Sequence, residues 1–241
     1  MSLPEEKIFS RVLELPQMSE AELSDAVQWE AEQYIPTPLK ELSLDFEIVG
    51  TRSNGKEILN EVLMIAAPKT LINSYLDVID KLGLEPYNIE SNIQAVARSM
   101  ISSKAKDEAI LVIDIGGKRT SMAVFDKTVR ITGSIPVGGE NITVEGKKAS
   151  FPELDTLASE LKKLINYYEE KDERKIARAF LCGGSACLPN LKEGIAAKIN
   201  LEVEIGNPWV NISTYPLKPI PKVESPRYAN AIGLALNGVL K

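Results

Sequence analysis

The groups that could do chemistry gather at two turns and the thiols beside one of them. Asp114-Ile-Gly116-Gly117 places a carboxylate two residues ahead of a glycine pair, with Lys118 and Thr120 close behind. A carboxylate at the end of a buried strand can hold a hydrated Mg²⁺, and glycines after it let backbone amides approach a phosphate with no Cβ in the way. Lys118 and Thr120 would add donors. The same residues also suit a tight hairpin, with glycine meeting the dihedral demand and Asp114 capping the turn. Gly183-Gly184-Ser185-Ala186 is the second turn, a diglycine between a predicted strand and a predicted helix whose first turn contains Pro189. Free amides at such a junction point at whatever occupies the neighbouring cleft. Cys182 and Cys187 flank it at a spacing that matches no zinc motif, so two small half-buried thiols in a reducing compartment are expected.

Composition closes off other chemistry. The chain has no histidine, which excludes a Ser-His-Asp triad, a Cys-His pair, a His-type zinc site and an imidazole pH switch. A formal net charge of −6 with no basic cluster argues against nucleic acid as the main partner and against direct docking on anionic lipid. No apolar run approaches the roughly 18 to 20 residues that cross a bilayer, and Met-Ser-Leu-Pro-Glu-Glu-Lys at the start lacks a signal peptide's apolar stretch. A cytoplasmic chain without membrane insertion is expected. At 241 residues and 44% hydrophobic content, it is long enough for one large domain or two small ones.

Hydrophobic periodicity supplies the elements that must position these groups. Phe9 to Leu15 alternates and reads as a strand ended by Pro16. Ser19-Glu-Ala-Glu22 has the form of a capping box, and Leu23, Ala26, Val27 and Tyr34 share one face of the helix that follows. Strands are expected over 42–49 and 57–66, joined by a turn containing Asn54-Gly55, then a helix over 69–82 with Gly83 as C-cap, and a closing strand over 85–91. This β-α-β-β-α-β order builds a small sheet with both helices on one side. A short helix at 93–100 ends the first domain, 1–101, and the charged stretch 102–108 is the expected linker.

The second domain, 109–241, opens with Ala109-Ile-Leu-Val-Ile-Asp-Ile115, an apolar run suited to a strand buried on both faces. Two returning strands, 120–125 and 128–137, lead to a long helix capped by Ser150 with an apolar stripe from Phe151 to Tyr168. Strand 177–182, helix 188–199, strand 201–205 and a last helix after Ser225-Pro226 complete the order β-β-β-α-β-α-β-α. The fold class is α/β, with an α+β first unit and a ribonuclease-H-like second one.

Two surface features suggest partner contacts. Trp29 lies about 200° round from Val27 at 100° per residue, away from the core face, and an exposed Trp makes a good anchor unless a neighbouring loop covers it. Tyr34 is the second candidate contact. Trp209 instead suits pinning the stiff Pro-rich segment 208–221 to the sheet. Glu20, Glu22, Asp25, Glu30 and Glu32 make solvated acidic faces that could attract a basic juxtamembrane tail.

Asp114-Ile-Gly-Gly, Ser134-Ile-Pro-Val-Gly-Gly-Glu-Asn-Ile-Thr143, Leu181-Cys-Gly-Gly-Ser-Ala186 and Tyr228-Ala-Asn-Ala-Ile-Gly-Leu-Ala235 together resemble the PilM family, the actin-like proteins of the type IV pilus inner-membrane assembly platform. Glu30-Ala-Glu-Gln-Tyr-Ile-Pro36, Asp45, Ala66-Ala-Pro-Lys69 and Gly83-Leu-Glu-Pro86 fit the same pattern. The resemblance implies that Asp114, Gly116 and Thr120, with Gly117 and Lys118 between them, belong to a second phosphate loop. It places Gly183, Gly184 and Ser185 in an adenosine loop, and Ala229, Ala231 and Gly233 on a helix where two halves of a clamp cross. In this family and its cell-division relative FtsA, another Asp-x-Gly hairpin opens the chain, whereas Asp114 begins the sole Asp-x-Gly here. Val-Glu-Gly-Lys-Lys-Ala, between Thr143 and Ser150, stands where the family carries a wall of the purine pocket.

A reduced form is therefore expected, with vestigial cofactor-binding groups. It would use no cofactor, or Mg-ATP if missing parts complete the cleft, with Asp114 then holding the metal through water. The implied role is a non-catalytic scaffold at the inner membrane, binding the cytoplasmic tail of a PilN-like membrane protein in a groove between the two units. The alternatives are an ATP-binding protein or ATPase of the same machinery, and a self-associating, FtsA-like filament former.

Overall fold

Strands β1 (Phe9–Pro16), β2 (Leu42–Ser53) and β3 (Ile58–Pro68) pair antiparallel in the order β1-β3-β2. The structure, a computed structural model, describes every residue except 54, 56, 103, 104, 106, 145–147, 150, 214–220, 222, 223 and 239–241. The predicted Asn54 turn residue and Ser150 cap lie outside the described residues. Helix α1 (Glu20–Tyr34) begins at the predicted capping box: Ser19 accepts from the Glu22 amide, and the Glu22 carboxylate accepts from the Ser19 amide. Leu23, Val27, Ala31 and Ile35 then pack on Leu13, Leu15, Val62, Met64 and Ala66. Tyr34 is not part of this core. It stands at the last residue of the helix, 49% exposed, with the Arg11 guanidinium 3.8 Å from its ring centre.

Helix α2 (Lys69–Lys81) takes the opposite face of the sheet. Leu71, Ile72 and Tyr75 pack with Ile65 and Ala67, and neighbouring strand residues point to opposite faces. The expectation of both helices on one side is thereby corrected. Its physical reason lies in β3, where Val62 to Ala67 is apolar without a break and needs cover on both sides. The predicted closing strand shrinks to Glu90–Ser91, outside the three-stranded sheet. Glu85-Pro-Tyr-Asn before it is exposed and carries a proline, which cannot donate to a ladder.

A five-stranded sheet organises the rest. Strands β4 (Ala109–Ile115), β5 (Thr120–Asp126), β6 (Thr128–Ile135), β7 (Ile176–Cys182) and β8 (Val203–Ile205) lie in the order β8-β7-β4-β5-β6. The β4-β5-β6 part is an antiparallel meander, while β7 and β8 run parallel to β4, giving the predicted ribonuclease-H-like arrangement. Strand β4 is buried on both faces, as its apolar run requires. Its residues Leu111, Ile113 and Ile115 face α4 (Phe151–Asp172) and α5 (Leu191–Ile199). Ile110 and Val112 face α3 (Asn92–Met100) and Ala229 of α6 (Ala229–Ala235).

Two compact units result: Met1, Leu3 and Lys7–Ile89 form one, and Ser2, Pro4–Glu6 and Glu90–Lys241 the other. Their division falls between Ile89 and Glu90, ahead of the expected linker at 102–108, of which residues 103, 104 and 106 lie outside the described residues. Helix α3 belongs to the second unit because Ile93, Val96, Ala97 and Met100 lie under β4. It meets α6 backbone to backbone: a Cβ on Gly233 would stand 1.7 Å from the Ala95 carbonyl oxygen. Arg98 donates to both oxygens of buried Glu90 and to the Gly233 carbonyl, while Asn237 also donates to Glu90. Ala231, expected at this crossing, faces solvent. Among the described residues no helix is long and apolar enough to cross a membrane.

Candidate functional site

Pairing register fixes Asp114 near the end of β4, opposite Cys182 of β7 and Ser121 of β5. As an even-numbered residue it shares the face of Ile110 and Val112, so its carboxyl is largely walled by protein. Burial raises its pKa from 3.8 to about 6, and a hydrogen bond with the Cys182 thiol offsets part of that rise. At neutral pH the carboxylate is mostly ionised. Burial, and secondarily the Asp114 charge, pushes the Cys182 thiol well above the ordinary range. Cys187, also a free thiol, is raised more simply by burial, with Arg227 opposing.

Three loops close around this carboxyl. Gly183 has φ +87, and a Cβ there would lie 2.4 Å from Asp114 Oδ1 and 2.5 Å from the Ile115 carbonyl oxygen, so the position admits only glycine. The Gly138-Gly139 loop presses on both others. A Cβ on Gly138 would stand 2.5 Å from the Gly117 carbonyl oxygen, and one on Gly139 would stand 2.1 Å from Ser185 Oγ. That second glycine pair is visible in the sequence, but its spacing alone does not mark it as part of this site. No sequence signal pairs Glu6 with Arg119, to which it comes within 3.6 Å.

The donors expected to face a ligand mostly face one another. The amides of Gly139 and Glu140 donate to the carbonyls of Gly116 and Gly117 at 2.9 and 2.8 Å. Those of Gly116, Gly183 and Ser185 donate to Arg119, Pro226 and Ile115 at 2.9, 3.1 and 3.0 Å. The Thr120 hydroxyl is directed to the Val137 carbonyl at 2.7 Å, and the Ser185 hydroxyl to the Gly116 carbonyl at 3.0 Å. Glu140 adds negative charge beside the turn, with Oε1 2.8 Å from where a Gly117 Cβ would be. Lys118 and Gly117 remain exposed at the tip.

The diglycine does not open directly onto a helix. Helix α5 starts at Leu191, after Pro189 and after Asn190 in the left-handed region at φ 60. Turns fill the interval, with Ala186 donating to Gly183 and Leu188 to Ser185. The expected row of helix N-terminal amides is therefore used within the loop, in part because Pro189 has no N–H to continue it.

Mg-ATP can be tested against this geometry. Among the described residues no three His, Cys, Asp or Glu side chains are placed to hold a metal, so Asp114 could serve a cation only singly, through water. A triphosphate needs several convergent donors. Here the hydroxyls and most loop amides are committed to carbonyls, Arg119 is drawn to Glu6, and Lys118 stands beside a carboxylate-bearing loop. These residues do not fit a triphosphate as a self-sufficient cradle.

Trp29 and Tyr34 belong to the first unit, and they differ. Trp29 is 61% exposed, whereas Arg11 covers one face of Tyr34. Trp209 is half-buried with an indole N–H that has no partner among the described residues. Asn211 nearby donates to the Arg98 and Ile101 carbonyls. Much of the Pro-rich segment assigned to Trp209, residues 214–220, lies outside the described residues.

Comparison with known proteins agrees with this architecture. The chain aligns over its whole length with 79% of a chain in a solved PilM-PilN type IV pilus biogenesis complex, at a TM-score of 0.80 and 24% identity. It is 29% identical over 153 residues to cell division protein FtsA of Bacillus subtilis strain 168, covering 62% of this chain and 32% of that one. FtsA of Neisseria meningitidis serogroup B is 30% identical over 103 residues, 42% of this chain and 25% of its own. The chain thus spans about a third or less of the length of these curated relatives. The model of cell division protein FtsA matches residues 111–233. That of type IV pilus assembly protein PilM matches residues 1–146, more than half of the chain, which therefore belongs to the PilM family of type IV pilus assembly proteins.

Proposed function

We propose that the chain is a non-catalytic scaffold of the type IV pilus assembly platform, held at the inner membrane by the cytoplasmic tail of a PilN-like protein. The observation that carries the non-catalytic part is the donor arrangement around Asp114. Gly139, Glu140 and Ser185 amides and the Thr120 and Ser185 hydroxyls all donate to carbonyls of the protein, which leaves little to stabilise a transferring phosphoryl group. Membership of the PilM family, and the fold shared with a chain of a PilM-PilN complex, support the choice of partner. Exposed Trp29 on α1 supplies an anchor of the kind peptide-binding surfaces use.

Calorimetric titration of the chain with a PilN-like tail peptide tests this reading. Saturable binding is expected, and no heat at high micromolar peptide would overturn it. A second reading, nucleotide binding, is favoured by Asp114 itself, a carboxylate with its pKa raised to about 6 at an Asp-x-Gly turn. It requires a melting temperature that rises with ATP and Mg²⁺ by mass action and a response lost in Asp114→Ala.

A further inference from the structure

We propose that the outer face of α1 and the hollow at its end dock an extended segment carrying a basic residue and, about three residues further on, an apolar one. The proposal rests on the scaffold reading and names the chemistry of the partner at the Trp29 surface. Helix α1 contains Glu20, Glu22, Asp25, Glu30 and Glu32 and no Lys or Arg. At 100° per residue, Asp25, Trp29 and Glu32 fall on one stripe about 60° wide. Asp25 and Glu32 are exposed on either side of the indole, and neither is in an ion pair among the described residues. A cation over the face of Trp29 would be attracted by the ring and by both carboxylates together. No other class of side chain matches all three groups.

The stripe leads into a hollow of about 460 Å³ formed where the chain leaves the helix. Ile35, Pro36, Pro38 and Leu39 give it apolar walls, and Glu32 and Lys40 are among its lining residues. Here the helix presents its negative end with no basic residue in the last turn. The opposite charges of Glu32 and Lys40 in its lining favour neither a second cation nor an anion, so the occupant of the hollow is a neutral apolar side chain. The order of the two anchors follows: basic at Trp29, apolar beyond Glu32. From Trp29 to Tyr34, the last helical residue, the helix rises about 7.5 Å, and Ile35, the first wall of the hollow, follows directly in an extended conformation. An extended chain covers the roughly 10 Å involved in about three residues. Tyr34 is not used, since Arg11 already covers one face of its ring.

Fluorescence polarisation with the full chain and labelled Ser/Gly peptides containing Arg-x-x-Leu, Glu-x-x-Leu or Arg-x-x-Ser tests the surface. The Arg-x-x-Leu peptide should bind at least tenfold more tightly than the other two. Its affinity should fall at least tenfold in Trp29→Ala and in Glu32→Lys, whose fold is checked by circular dichroism. Equal binding of the acidic peptide, or unchanged binding by both variants, would overturn the proposal. So would light scattering showing that the chain associates with itself through Trp29. A PilN-like tail that binds Trp29→Ala and wild type equally well would refute this surface and leave the scaffold reading standing. Binding of Arg-x-x-Leu without binding of the tail would do the reverse.

Discussion

Replacing Asp114 with Asn should make the second unit more stable at neutral pH and remove a pH dependence. Burial lifts the carboxyl from 3.8 to about 6, so the folded chain holds this proton more tightly than the unfolded one. Stability from that difference is fully present below about pH 4 and is lost as pH rises through about 6. At about 1.4 kcal/mol per pH unit, it amounts to at most about 3 kcal/mol, lowered by whatever solvent reaches the carboxyl. Asn has nearly the same shape and stays neutral, so the close approach of Gly183 is preserved while the desolvated charge disappears. The chain has two tryptophans, and Trp29→Phe leaves Trp209 as a reporter of the second unit alone. In that background, urea unfolding at pH 4.5 and 7.5 should show Asp114→Asn gaining stability relative to Asp114 as pH rises. At two to four degrees per kcal/mol, the advantage at pH 7.5 is at most roughly 6 to 12 °C in melting temperature. A difference between the two proteins that stays constant from pH 4.5 to 7.5 would refute the buried-carboxylate picture.

Other perturbations probe the packing that holds the site. Gly183→Ala must adopt φ +87 with its methyl against Asp114 Oδ1 and the Ile115 carbonyl, and a loss of about 2 to 5 kcal/mol is expected in denaturant unfolding. Arg98→Met strips the main counter-charge from buried Glu90, leaving Asn237 as a donor, and should cost roughly 3 to 5 kcal/mol at pH 7. Ser19→Ala removes one half of the α1 capping box and should cost about 1 kcal/mol, visible as reduced protection of the first-turn amides in hydrogen exchange.

Local patterns carried much of this structure. The unbroken apolar run of β4 announced a strand covered on both faces, and Ser19 with Glu22 marked the start of α1 to the residue. What failed depended on distant partners. The apolar stretch from Val62 to Ala67 says that both faces of β3 are covered, but it does not say which helix takes which face. Tyr34 falls on the core stripe by angle, yet it is the last helical residue and meets Arg11 of β1. At the Asp114 turn, glycine spacing marked a close approach correctly. Whether an amide there is free depends on carbonyls of loops far along the chain, as Ser185 donating to Gly116 and Ile115 shows. Such pairings leave no trace in local spacing.

The course of the chain through its two units has a consequence of its own. Pro4–Glu6 lies in the second unit, Lys7–Ile89 forms the first, and Glu90 returns to the second, with Ser2 bonded to Asn230 and Glu6 near Arg119 as early moorings. Apart from Met1 and Leu3, which group with it, the smaller unit is thus spliced into its host like a cassette, entered after Glu6 and left after Ile89. A host interrupted in this way can exchange its insert, lengthen it or drop it while keeping its own strand order. Substitutions that alter what the cassette contacts can therefore be made without disturbing the sheet that carries Asp114.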